Sequence, residues 1–184
     1  MRQALPAEHN RLFSSSTFAR ALLPFNSPMK PLFVLLTAFA LILGATYLID
    51  GRANYLLAGN GAMAAMLLFT SLGHFAFAQG MMLMLPEWLP FRRGWVYLTG
   101  VLEMGAAAGL LWPAVRPFAA WGLLAFLVAV LPANIHAART HLDYQRGQPT
   151  GPGPRYLWFR VPLQALFMAW TWYFGLYLPH SLYQ

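Results

Sequence analysis

The sequence predicts an all-α integral membrane protein with five spans, and three observations predict it. Hydrophobic residues make up 59% of the chain and charged residues only 9%, where an ordinary soluble domain carries roughly 25% charged. So few charges cannot cover a globular surface in water, so lipid must be part of the solvent. The apolar runs are continuous over about 20 residues, the length a helix needs to cross about 30 Å of hydrocarbon, with none of the period-two alternation of a barrel strand. The basic residues flank these runs and form no dense cluster, which explains the net charge of +7 as topology and not as nucleic-acid binding.

Each span has its own justification. The first, residues 31–49, reads "PLFVLLTAFALILGATYLI" and holds no charged residue. The second lies within the stretch 53–86, free of acids, lysine and arginine, and centres on residues 58–78. The third covers residues 94–112 and carries Glu103, the fourth covers 117–137, and the fifth covers 157–178. Arginine and lysine place them. Arg2, Arg11, Arg20, Lys30, Arg92, Arg93, Arg139, Arg146, Arg155 and Arg160 fall on one side, against Arg52 and Arg116 on the other, and this ten-to-two bias marks the first side as cytoplasmic. If residues 31–49 did not span, the two sides would score six each. The expected arrangement is therefore a basic cytoplasmic tail (1–30), an added transmembrane helix (31–49) and a four-helix membrane domain (50–184), within a single-domain length of 184 residues.

The tail is arginine- and serine-rich, as a transit peptide would be, and has aromatic residues suited to a membrane surface. An irregular tail whose charges set orientation is the plainer reading. A cleaved secretory signal is not expected, because the tail is long for an n-region. The segment "QGMMLMLPEWLPFRR", residues 79–93, reads as interfacial, broken by Pro86 and Pro90 and anchored by Trp88 and Phe91. Its Met81, Met82 and Met84 are thioethers of the kind that bind Cu(I), but flexible apolar filler is the favoured reading, and no metal site is expected. Residues 139–156 are dense in glycine and proline and read as an exposed turn. No internal repeat is evident. With no cysteine, the chain has no disulfide, thiolate metal site or cysteine nucleophile.

The informative residues are polar and intramembrane. In "VYLTGVLEMGAAAGLLW", residues 96–112, Glu103 sits near mid-helix, where an acidic side chain costs roughly 2.5–3.5 kcal/mol. It lies roughly 14 Å past the start of its span. His74 lies near the cytoplasmic end of the second span, Asn134 and His136 near that of the fourth, and Arg160 and Gln164 at the start of the fifth. Thr99 precedes Glu103 by one turn and extends its polar face. These groups share the cytoplasmic half, so His74, Thr99, Glu103, Asn134, Arg160 and Gln164 are the candidate ligand-binding set, with His74 and Glu103 the candidates for catalysis. Each also has a structural reading. Glu103 can be an interhelical hydrogen-bond partner, His74 a helix-end residue, Asn134 and Gln164 interhelical glue, Arg160 a topology charge, and His136 a group reaching the aqueous interface. "GAAAG", residues 105–109, is a GxxxG pattern that lets helix backbones approach, and Pro132 and Pro162 free backbone carbonyls near the same depth.

A family resemblance rests on these positions. "GHF" (73–75), "LPEWLPF" (85–91), "YLTGVLEMGAAAGLL" (97–111), "AAWGLLAFLVAVLPANIHAA" (119–138) and "RVPLQALFMAWTWYF" (160–174) follow one another as in the DoxX family of small bacterial membrane proteins, which the chain resembles over about residues 58–174. The matching positions are His74, Glu103, Asn134, Pro162 and Gln164. The resemblance implies a DoxX-like four-helix bundle, to which the first span and the tail are additions. It also implies the bacterial inner membrane and association with membrane oxidoreductases, as in the small subunit of thiosulfate:quinone oxidoreductase. Three functions follow as expectations. One is an oxidoreductase component in which a quinone sits between helices and His74 with Glu103 handles protons, electrons coming from a partner because no haem, flavin or cluster motif is present. Another is a non-catalytic accessory subunit docked to membrane partners. The last is a small-molecule carrier, for which neither inverted repeats nor paired half-helices appear.

Overall fold

A computed structural model of the chain describes residues 29–143, 147–148, 150–151 and 153–182. The expected tail therefore lies outside the described residues, apart from its last two positions. Apart from Met29 and Lys30, the described residues belong to one compact unit, Pro31–Gln184. The helices are α1 (Lys30–Asp50), α2 (Tyr55–Ala76), the short α3 (Ala78–Met82), α4 (Arg92–Leu111) and α5 (Arg116–Arg139), followed by a 3-10 turn (Gly153–Tyr156), α6 (Leu157–Trp172), a π turn (Tyr173–Tyr177) and α7 (Leu178–Leu182). Among the described residues there is no strand, only an isolated bridge between Asp143 and Gln148.

Four helices, α1, α2, α4 and α5, are long and apolar enough to cross a membrane. Their bounds lie within a few residues of the first four expected spans. The fifth expected span begins at Leu157 as anticipated, but α6 ends after 16 residues, and the helical backbone runs on through the π turn into α7.

The helices after α1 close a ring: α2 packs on α4, α4 on α5, α5 on α6, and α6 with the π turn returns to α2. Met63 and Leu67 of α2, Leu110 of α4, Leu123 of α5 and Phe167 of α6 meet in one buried cluster. Outside the ring, Leu41, Leu102, Val128 and Trp158 are exposed. Apolar residues on both faces of a helix are what a lipid-facing bundle requires. The first helix lays one face on this ring. Leu35 is fully buried, and the Phe39 ring meets Trp170 edge-on with centroids 5.1 Å apart.

The α2–π turn contact shows how the close approaches are made. Asn60, buried on α2, donates its side-chain amide to the Phe174 carbonyl at 2.8 Å. This carbonyl lies in the π turn, where the regular helical ladder is interrupted. One residue earlier Gly59 lets the Phe174 ring lie against the α2 backbone, where a Cβ would stand 2.2 Å from ring carbons. The Trp170 indole donates to the Gly59 carbonyl at 2.9 Å.

Gly59→Ala is therefore expected to destabilise the fold by about 1–3 kcal/mol, the usual cost of overpacking. Gly44→Ala, with open space around its added Cβ, is expected to be neutral or stabilising by a few tenths of a kcal/mol up to about 1. Thermal unfolding of both variants in detergent checks the contrast, and equal midpoints would contradict it.

Candidate functional site

Helices α2 and α4 run antiparallel, and each carries two polar residues one turn apart on the facing side: Thr70 and His74 on α2, Thr99 and Glu103 on α4. Helical spacing stacks each pair, and the register sets Thr70 opposite Glu103 and His74 opposite Thr99. Thr70 Oγ1 lies 2.9 Å from Glu103 Oε2 and 3.1 Å from its own helix's Leu67 carbonyl, so one hydroxyl proton serves both. His74 Nε2 lies 3.5 Å from Glu103 Oε1. On its other side, His74 Nδ1 lies 3.0 Å from Thr99 Oγ1 and 3.2 Å from the Val96 carbonyl. Thr99 donates to that same carbonyl at 2.8 Å.

Gly100 brings the helices this close. A Cβ there would stand 2.9 Å from the His74 Cβ and 3.3 Å from the Phe75 ring. Of the anticipated GxxxG contact, Gly109 packs on Ala119 of α5, while Gly105 has nothing within reach of a Cβ. The close approach that matters for the cluster is thus one turn before the motif.

A carbonyl oxygen only accepts, whereas a hydroxyl donates or accepts, so His74 Nδ1 either donates to the Val96 carbonyl or accepts from the Thr99 hydroxyl, according to the tautomer. The imidazole Nε2 faces the Glu103 carboxyl at 3.5 Å, a pairing that is attractive whenever one of the two atoms carries a proton. The Glu103 side chain is 9% exposed and the His74 side chain 18%, so the imidazole is the more accessible end.

The remaining expected residues lie elsewhere. Among the described residues, Glu103 has Thr70 and His74 as its polar partners. Gln164 is buried on α6 and donates its amide to the Leu127 carbonyl of α5. That acceptor adjoins the Val128 carbonyl, which Pro132 leaves without its amide donor. The Gln164 Oε1 atom is buried with no partner. Asn134 is buried on α5 and Arg160 half-buried in the first turn of α6, and neither engages Glu103. The single pocket expected from shared depth is thus a tight α2–α4 cluster plus a separate α5–α6 contact. No group of three or more histidine, cysteine or acidic residues suited to a metal occurs among the described residues.

Thr70 was not among the expected residues. Its signal was present, because it stands one turn before His74 as Thr99 stands one turn before Glu103. Asn60 and Arg116, both buried, were also not singled out for contact.

A cycle over His74→Ala and Glu103→Gln, followed by unfolding in detergent, is expected to return a coupling of about 0.5–3 kcal/mol. Additive single effects would show that the two groups do not interact. Gly100→Val, which separates the helices, is expected to abolish the coupling.

One family model, described as "Domain of unknown function (DUF8561)", matches residues 63–175. The match includes the entire Thr70–His74–Thr99–Glu103 cluster and excludes α1. No curated protein and no solved structure matches the chain.

Proposed function

The chain belongs to the DUF8561 family, and we propose that it is a five-span protein of the bacterial cytoplasmic membrane acting in an oxidoreductase or respiratory-type assembly. In this reading a quinone-like head group binds beside His74 and Glu103. The observation that carries it is the 3.5 Å approach of His74 Nε2 to Glu103 Oε1 within an apolar bundle. Ionisable residues inside spans are functional by default, and this pair can give or take one proton without leaving two charges behind. Reduction of a quinone consumes protons at its oxygens along with electrons. The more exposed imidazole suits delivery of the proton, and Glu103, held by Thr70, suits its replacement. Thr99 and the Val96 carbonyl orient the ring. Electrons come from a partner subunit in this proposal, and the motif resemblance to DoxX proteins is the reason for naming an oxidoreductase partner.

The fifth span of the proposal is α6 continued through the π turn and α7. Support comes from unbroken helical backbone over residues 157–182, roughly 39 Å at 1.5 Å per residue, and from the ten-to-two distribution of basic residues. The amino terminus is then cytoplasmic and the carboxyl end external.

Two experiments test this reading. The chain has no cysteine, so single cysteines report sidedness cleanly. Ser181→Cys and Arg52→Cys are expected to react with an impermeant maleimide from outside intact cells, and Arg139→Cys only after permeabilisation. Labelling of Ser181→Cys from the same side as Arg139→Cys would remove the fifth span. Mass spectrometry of protein purified in mild detergent is expected to show bound quinone that Glu103→Gln or His74→Ala removes. A stoichiometric partner complex without quinone, indifferent to both substitutions, would make the chain an accessory subunit instead.

A further inference from the structure

The seam between α5 and α6 holds a polar side chain that the protein satisfies only at one end. Gln164 is buried, with 7% of its surface exposed, and its amide nitrogen donates to the Leu127 carbonyl across the seam. A carbonyl oxygen only accepts, so this contact fixes which end of the amide faces α5. The other end, Oε1, is sealed from solvent. Among the described residues it is the one buried side-chain nitrogen or oxygen that meets no hydrogen-bond partner.

A second acceptor is set free beside it. Pro132 has no N–H, so the Val128 carbonyl, next along the chain from Leu127, loses the donor a regular helix would supply. The helix α5 nevertheless runs unbroken through Pro132, from Arg116 to Arg139. Prolines inside membrane helices are tolerated where a neighbouring helix or an ordered water satisfies the freed backbone group. Leu163 and Phe167, which flank Gln164 on α6, are buried and have no side-chain proton to give. An amide oxygen withdrawn from water and left bare is costly, and hydrocarbon outside the bundle offers it nothing. The seam therefore carries acceptors in excess of donors.

We infer that one internal water molecule bridges α5 and α6, giving one proton to Gln164 Oε1 and the other to the Val128 carbonyl. Water brings two donors to two acceptors, whereas an alcohol or a phenol brings one. It is also small enough for a seam whose Leu127, Leu163, Gln164 and Phe167 are each more than nine-tenths buried. The water carries α5 across its proline and ties it to α6, at a place separate from the His74–Glu103 pair and independent of the quinone reading.

A crystal or cryo-EM structure of the full chain, at a resolution that shows buried waters, tests the inference. Wild type is expected to show a solvent peak about 2.6–3.2 Å from Gln164 Oε1. Gln164→Met, which fills similar space without a polar group, is expected to lose that peak. Pro132→Ala, which returns an N–H to the Val128 carbonyl, is expected to weaken it. A wild-type map with ordered water elsewhere in the bundle but none at Oε1 overturns the inference, as does a protein donor found on Oε1. An undiminished peak in Gln164→Met overturns it too. Larger density at Oε1, continuous with a bound molecule, would assign the acceptor to a hydroxyl-bearing ligand and overturn the water assignment. The wild-type map decides the matter even where a variant fails to fold.

Discussion

Hydrocarbon offers no hydrogen-bond partner, so a polar group placed in it must find one within the protein. That demand organises this bundle. Glu103 is the most expensive group to place, and it is met by Thr70 and His74 from the neighbouring helix. His74 in turn is held by Thr99 and the Val96 carbonyl. The same rule accounts for contacts far from the cluster: Asn60 serves the Phe174 carbonyl in the π turn, Trp170 serves Gly59, and Gln164 serves Leu127. In each case a side chain on one helix satisfies a group on another, so polarity decides which helices neighbour each other.

Packing supplies the second half of that arrangement. Lipid tails are as apolar as leucine, so helices in a membrane are not driven together by the hydrophobic effect and rely on close fit. Gly59 against Phe174, Gly100 against His74 and Gly109 against Ala119 are three of the places where a Cβ would not fit, and Gly61 against Ile42 and Gly175 against Ala120 are others. Gly59 and Gly100 each lie beside an interhelical hydrogen bond. Small residues and polar partners thus act together: the first bring the backbones near enough for the second to reach.

The two ends of α4 present different chemistry. Near its basic start, an acid and an imidazole face each other at 3.5 Å inside the bundle. Beyond its far end, a buried arginine lines an aromatic-walled cleft. The helix between them is mostly alanine, glycine and leucine, with no polar group to join the two places. The two ends of one helix thus differ because each is set by what it packs against.

Length and continuity of the apolar runs were enough to locate the helices, because those properties are set residue by residue along the chain. Depth along each helix was legible for the same reason, since rise per residue is constant, and it correctly grouped His74, Thr99 and Glu103. Rotation about the helix axis was not legible. In a soluble helix the contrast between apolar and polar faces reveals rotation, but here lipid-facing and core-facing residues are alike. Asn134 and Gln164 were expected in the same half of the bundle as Glu103 yet do not engage it, and Gly105 shares a motif with Gly109 yet packs on nothing. Thr70 was within reach of the one-turn rule that found Thr99. The chain by itself determined that four of its helices are long and apolar enough to cross a membrane and where the polar groups lie along each helix. The tertiary structure alone decided which of those groups meet, because only helix rotation and the close approaches at Gly59 and Gly100 aim one side chain at another.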